Sequence, residues 1–185
     1  MTITTRRTVW RAAPLLCAAA IALSACSGAP RVDDTPSFGG IDPVREAMAL
    51  REASALRAKG QRVWCVPFAR NVSGINIRGN AHTWWGKAKG TFDQSNQPVV
   101  GAVMSFRSTP SMPLGHVAVV SEVIAKDRIL IDHANWHRDQ VSQDMAVIDV
   151  SKNGDWSAVR VETNPDAFGS VYPVNGFILP PPDQG

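Results

Sequence analysis

The sequence predicts an α+β domain, with helices in its first half and an antiparallel β-sheet in its second half. Apolar residues between positions 42 and 73 form two stretches, each bounded by residues that cap or break helices. From Val99 onward the chain changes to short runs that are rich in valine and isoleucine and separated by turn residues. When helices and strands are segregated along a chain in this way, the helices usually pack on an antiparallel sheet.

Residues 1–25 have the layout of a secretory signal. Arginines precede an apolar run that is too short to span a bilayer stably, and small residues follow it. The junction Leu23–Cys26 resembles a bacterial lipobox, in which the cysteine is acylated and becomes the N-terminus. We therefore expect an exported protein that is attached to the cell envelope membrane through lipid on Cys26. Because Ser27 is not the aspartate associated with inner-membrane retention, the resemblance favours the periplasmic face of the outer membrane.

Loss of the signal changes the charge of the chain. The whole sequence has 19 Lys and Arg against 16 Asp and Glu, but three of the arginines and no acidic residue lie in residues 1–25. The remaining chain is balanced, so its charge gives no reason to expect a nucleic-acid partner. We expect a flexible tether over 26–41, one catalytic domain over 42–180 and an extended tail over 181–185.

Capping and breaking residues define the predicted helices. Aspartate followed by proline predicts a helix over 42–59, which a glycine ends. A second helix is predicted over 64–73. Pro67 fits only its first turn, which puts Cys65 at the start of the helix. A further short helix is expected over 80–89. The predicted strands cover residues 99–106, 116–124, 129–135, 145–150, 158–161 and 176–179.

Cys65 is the first candidate for chemistry. Cys17 leaves with the signal and Cys26 is acylated, so Cys65 has no partner for an intramolecular disulfide. At a helix start, unpaired N–H groups and the helix dipole favour a thiolate, which is the nucleophilic form. The N–H of Cys65 and the side chain of Gln61 are candidate donors to an oxyanion. The alternative role for Cys65 is that of a small apolar side chain in the core.

A nucleophilic thiol needs a base, and His116 is the best placed of four histidines. It begins a predicted strand directly after Gly115, which lets backbone or substrate approach closely. His133 and His137 have a spacing that metal ligands can have. No second cysteine or acidic cluster joins them, so we expect neither a metal nor a cofactor.

Strand pairing suggests which group orients His116. If Ala125 lies opposite Arg128 across a two-residue turn, Ala118 lies opposite Asn135, and Asn135 becomes a diagonal neighbour of His116. A shift of the turn by one residue brings Asp132 to that face instead. Asn135 therefore leads as the third member, and Asp132 and His133 stay open.

Five segments, in this order, resemble the CHAP domains, which are cysteine- and histidine-dependent amidohydrolases and peptidases. They are Trp64–Arg70, Gly79–Trp85, Pro98–Phe106, Gly115–Val120 and Asn135–Trp136.

The resemblance implies a papain-like α+β fold that hydrolyses amide bonds of peptidoglycan, as an N-acetylmuramoyl-L-alanine amidase or a peptide endopeptidase. It makes Cys65 the nucleophile, His116 the base and Asn135 the third member. His133 is a departure, because many members have a glutamate there. The tryptophan pair in the second segment, and the one after Asn135, are expected in the substrate cleft: Trp84, Trp85 and Trp136.

Two other functions compete with this one. One is an endopeptidase of the NlpC/P60 type, although that family usually starts its helix with Asp-Cys-Ser. The other is a non-catalytic envelope lipoprotein that uses the same fold for binding. A thiol redox protein is disfavoured because no second cysteine can resolve a mixed disulfide. The expected partners are a peptidoglycan peptide, the membrane and an unidentified envelope regulator.

Overall fold

The computed structural model describes residue 2 and residues 40–181. The predicted signal segment, Cys26, nearly all of the tether and residues 182–185 of the tail lie outside the described residues. Within the described part of the chain, no helix combines the length and the apolar character needed to cross a membrane.

The helices begin and end where the caps predicted them. The first is α1, Pro43–Ala58, and the Oδ1 atom of Asp42 accepts a hydrogen bond from the N–H of Val44 at 2.8 Å. The second is α2, Cys65–Ser73, which ends at Gly74 with a φ of 73°. A 3₁₀ turn, Ala81–Thr83, leads into the short helix α3, Trp84–Ala88.

Seven antiparallel strands follow: β1 Gln94–Ser95, β2 Val103–Phe106, β3 His116–Ala125, β4 Arg128–Ala134, β5 Val141–Asp149, β6 Ala158–Asn164 and β7 Ala167–Ile178. Neighbouring strands run in the order β1-β7-β2-β3-β4-β5-β6, and β6 also pairs with β7. The first part of β7 pairs with β6 and its end pairs with β2. The α+β class is confirmed, and the sheet closes on itself like a barrel.

Alternating side chains of β3 belong to two separate cores. Val117 and Val119 share one buried cluster with Phe68 of α2 and with residues of α1. Ala118 and Val120 belong to the other cluster, with residues of β2, β4 and β7. This alternation follows from the two-residue period of a strand, so consecutive residues at the start of β3 face different surroundings.

The β3–β4 hairpin departs from the predicted register. Ala125 lies opposite Arg128, as predicted, but the register then shifts twice, and Val119 lies opposite Asp132. Without these bulges Val119 would face Ala134, so the predicted pairing beyond the bulges is wrong by two residues. An even shift leaves each side chain on its original face, because the period of a strand is two.

Candidate active site

A cleft of about 890 Å³ is lined by the start of α2, residues 111–115, the start of β3 and the end of β4. Cys65, His116, Asn135 and Trp136 all line it. Its size is in the range of small-molecule and peptide sites. The cleft therefore brings together predicted site residues that are distant in the sequence, since Cys65 and Trp136 are 71 positions apart.

Cys65 is a half-buried free thiol at the first position of α2. Burial raises its pKa, and the backbone N–H groups of Val117, Val66 and Cys65 itself lower it in part. The helix start and the neighbouring strand thus do supply the N–H groups expected around a thiolate. Burial outweighs them, so the thiol rests protonated, unlike the thiolate that the helix position alone predicts.

Gly115 fixes the start of β3. Its φ is 68°, and a Cβ atom there would lie 2.7 Å from the backbone nitrogen of His82. That nitrogen donates a hydrogen bond to the carbonyl oxygen of Leu114 at 2.9 Å. The close approach expected at this glycine therefore exists, and it ties the segment before β3 to the 3₁₀ turn that contains His82.

His116 is buried in an aromatic environment. Its ring centroid lies 5.1 Å from those of His133 and Trp136 and 5.5 Å from that of Phe106. Burial lowers its pKa to about 3, so the imidazole is neutral at physiological pH. A neutral imidazole held by neighbours on three sides is suited to accept a proton in a fixed direction.

His133 is the side chain that the structure joins to His116. The Nε2 atom of His116 lies 3.0 Å from the Nδ1 atom of His133. Asn135 has a φ of 64°, and its Oδ1 atom accepts a hydrogen bond from the N–H of Asp139 at 3.0 Å. Asn135 thus lines the cleft, but its carboxamide oxygen caps a turn.

Asp132, the other open alternative, is bonded elsewhere. It lies opposite Val119, and its Oδ1 atom accepts a hydrogen bond from the N–H of Asp144 at 2.9 Å. Burial is the main cause that raises its pKa to about 6, with Asp144 and Glu46 adding repulsion. Asp132 therefore belongs to a polar group between β4, β5 and α1.

Gln61 does not line the cleft, and it is exposed in the loop before α2. Arg62 and Trp64 line this side instead, and the Arg62 guanidinium lies 4.1 Å from the centre of the Trp64 ring. The expectation that Gln61 donates to an oxyanion finds no support in this position. Asn80, which sequence reasoning missed, lines the cleft and carries an amide donor.

The three tryptophans predicted in the cleft have different positions. Trp84 is fully buried in the core cluster that contains α1 and α2, so its placement in a substrate cleft is wrong. Trp85 packs on the same cluster and lies against Gly176, away from the residues that line the cleft. Trp136 lines the cleft. Helical spacing in a short apolar segment favours a core position, and it overrode the motif here.

Tyr172 is a second cleft residue that the sequence did not indicate. It lies on β7, lines the cleft, and its ring centroid is 5.0 Å from that of Trp136. It is the only tyrosine of the chain, but Pro173 beside it is a residue that is unfavourable in a strand interior.

No group of three or more His, Cys, Asp or Glu side chains within residues 40–181 is arranged to hold a metal ion.

Comparison with known families agrees with this geometry. The family model named CHAP domain matches residues 57–135, which include Cys65, His116, His133 and Asn135. No curated protein sequence shows significant similarity to the chain. Trp136, Met145 and Tyr172 lie beyond the matched segment. The resemblance that the motifs indicate is confirmed over residues 57–135, which match the CHAP domain model.

Proposed function

We propose that this protein is a cell-wall hydrolase that cleaves an amide bond of peptidoglycan by acyl transfer through Cys65. The match to the CHAP domain model supports amidohydrolase or peptidase activity on peptidoglycan in general. The observation that carries the proposal is the shared cleft, in which Cys65 at a helix start and His116 at a strand start occur together. This combination also supports the papain-like arrangement that the resemblance implies.

Protonation of the two groups determines the first step. The thiol rests protonated and the imidazole neutral, so the reaction starts from an uncharged pair. Because Nε2 of His116 is joined to His133, Nδ1 is the nitrogen left to take the thiol proton. The sulfur attacks the amide carbonyl as this proton moves, and a tetrahedral oxyanion forms. The N–H of Cys65 and the side chain of Asn80 are the proposed donors to that oxyanion.

The remaining steps return the enzyme to its starting state. The tetrahedral intermediate collapses, the C–N bond breaks, and His116 gives its proton to the leaving amine. The acyl group then forms a thioester with Cys65. Water attacks the thioester and loses a proton to Nδ1, and the carboxylic acid leaves as the thiol regains that proton. Trp64, Trp136 and Tyr172 all line the cleft, and their rings are suited to pack against peptide or sugar.

Digestion of purified sacculi by the purified protein tests this function. We expect the wild type to release soluble fragments and Cys65→Ala to release none. Lys152→Ala is the matched control, because Lys152 is exposed and lies outside the cleft, and it should act like the wild type. Clearing by Cys65→Ala at the wild-type rate would contradict the role of Cys65 as nucleophile. No clearing by either protein would favour the alternative of a non-catalytic envelope lipoprotein that uses the fold for binding.

The proposal includes the site of action. The signal layout and the lipobox-like junction support export and lipid attachment through Cys26, with the domain facing peptidoglycan from the outer membrane. Labelled palmitate tests this attachment, since it should enter the wild type and not Cys26→Ala. The proposal includes an unidentified envelope regulator. It covers two scissile bonds, the one that an N-acetylmuramoyl-L-alanine amidase cuts and the one that a peptide endopeptidase cuts.

A further inference from the structure

A row of three hydrogen-bonded side chains crosses strands β3, β4 and β5. Nε2 of His116 lies 3.0 Å from Nδ1 of His133, and Nε2 of His133 lies 3.3 Å from the Sδ atom of Met145. His133 is fully buried, so these two neighbours account for both of its ring nitrogens. Met145 is carried by β5, where it lies opposite Ile131 of β4.

The sulfur at the end of the row determines the direction of every hydrogen bond in it. A thioether has no hydrogen to give and can only accept, so Nε2 of His133 must carry the hydrogen. A neutral imidazole carries one ring hydrogen, and Nδ1 of His133 is therefore an acceptor. His116 must then donate from Nε2, which leaves its Nδ1 without a hydrogen.

Both histidines are held in the neutral form that this reasoning requires. Burial lowers the pKa of each ring, and the charges of His116 and His137 lower that of His133 further. His137, which is exposed, is the other histidine beside the row. Trp136 stacks on His133 with 5.4 Å between ring centroids, and this contact restrains the ring from turning over.

We propose that Met145 is a positioning residue that sets the tautomers of His133 and His116, so that His116 presents an unprotonated Nδ1 to Cys65. The inference rests on the proposed function of Cys65 and His116. A carboxylate or carboxamide oxygen at the third position can only accept, so it orients the base without help. An imidazole can donate as readily as accept. Without an acceptor at the far end of the row, every hydrogen bond in it could run in the opposite direction. Met145 supplies that acceptor.

Two substitutions of similar volume separate hydrogen bonding from packing. Met145→Leu removes the acceptor and lets His133 donate from Nδ1, which would place a hydrogen on Nδ1 of His116. We expect kcat to fall about 10- to 100-fold with KM little changed, which is part of the roughly 10²- to 10⁴-fold that a positioned general base contributes. Met145→Gln keeps an acceptor oxygen near Nε2 of His133, and its kcat should stay within about threefold of the wild type.

Histidine tautomers can be read directly, without an activity assay. Long-range ¹H–¹⁵N correlation spectra of the full chain labelled in histidine distinguish an Nδ1–H ring from an Nε2–H ring. Single histidine-to-glutamine variants assign the signals. We expect Nε2–H for both His116 and His133 in the wild type and in Met145→Gln, and Nδ1–H in Met145→Leu.

The result that overturns the proposal is also spectroscopic. An Nδ1–H ring at His116 in the wild type contradicts it, and this spectrum decides even if Met145→Leu does not fold. Unchanged tautomers in a folded Met145→Leu protein contradict it as well. If the tautomers behave as expected but the wild type leaves sacculi intact, the proposed function fails and the role of Met145 in setting the tautomers stands.

Discussion

At the scale of single residues, the side chain beside the base is an imidazole. The resemblance to CHAP domains implies a glutamate at this position, but this chain has His133, which is hydrogen-bonded to His116 at 3.0 Å. In the proposed mechanism His116 takes a proton from Cys65, and the new positive charge then has a neutral ring beside it. The charge therefore stays less stable than it would be beside a carboxylate.

His133→Glu tests this electrostatic difference. A carboxylate 3 Å from Nε2 should raise the pKa of His116 from its value of about 3, because the negative charge favours imidazolium. We expect the acid limb of the kcat/KM profile to move upward by about one pH unit or more. His133→Gln is the matched control, with the same length and no charge. A limb that moves equally in both variants would contradict the electrostatic reading.

The buried histidines also make stability depend on pH. Folded His116 has a pKa of about 3 and folded His133 one well below 6.5, while both titrate near 6.5 in the unfolded chain. Between about pH 3 and 6.5 the unfolded chain thus binds more protons, so stability falls as the pH is lowered through this window. His116 contributes up to about 1.4 kcal/mol per pH unit within this window, and His133 acts in the same direction.

Asp132 opposes this trend, because its raised pKa of about 6 makes the folded chain bind the extra proton between pH 3.8 and 6. We expect the free energy of unfolding in urea to decrease from pH 6.5 to 4.5 in the wild type. The decrease should be smaller in His133→Gln and larger in Asp132→Asn. Equal slopes in all three proteins would show that these groups do not titrate as described.

At the scale of the elements, the sequence predicts helices better than strands. Asp42, Pro67 and Gly74 mark helix ends by local chemistry, and α1 and α2 lie within two residues of their predicted starts and ends. The register of the β3–β4 hairpin depends on two bulges, and the alternation of apolar residues does not reveal them. As a result, sequence reasoning put Asn135 ahead of His133 as the neighbour of the base.

The start of β3 is the element boundary on which the site depends, and Gly115→Ala tests it. The substitution adds the strain of a φ of 68° and a contact of 2.7 Å with the His82 backbone. We expect a loss of about 2 kcal/mol or more in unfolding free energy, and lower activity because His116 follows directly in the chain.

Gly154→Ala is the control for strain alone, since Gly154 has a φ of 63° and no atom within 4 Å of an added Cβ. It should lose about 1 kcal/mol in a urea titration and keep full activity. Equal activity of the two alanine variants at a temperature where both are folded would contradict the role given to Gly115.

At the scale of the whole molecule, the closure of the sheet completes the site. The strand β7 joins β6 to β2 and carries Tyr172, which lines the cleft together with Cys65. The sequence predicts only the end of this strand, at residues 176–179, because Pro173 is unfavourable in a strand interior. The family motifs end before β5, so Met145 and Tyr172 are visible only in the structure.

The central claim is that Cys65 breaks an amide bond of peptidoglycan, and mass spectrometry of muropeptides tests it most directly. Purified sacculi are treated with the wild type or with Cys65→Ala, and their glycan strands are then digested to give muropeptides. The account predicts products with one new free amine and one new carboxyl group, present after wild-type treatment and absent after Cys65→Ala treatment. An unchanged muropeptide profile, or the same products from Cys65→Ala, would contradict it.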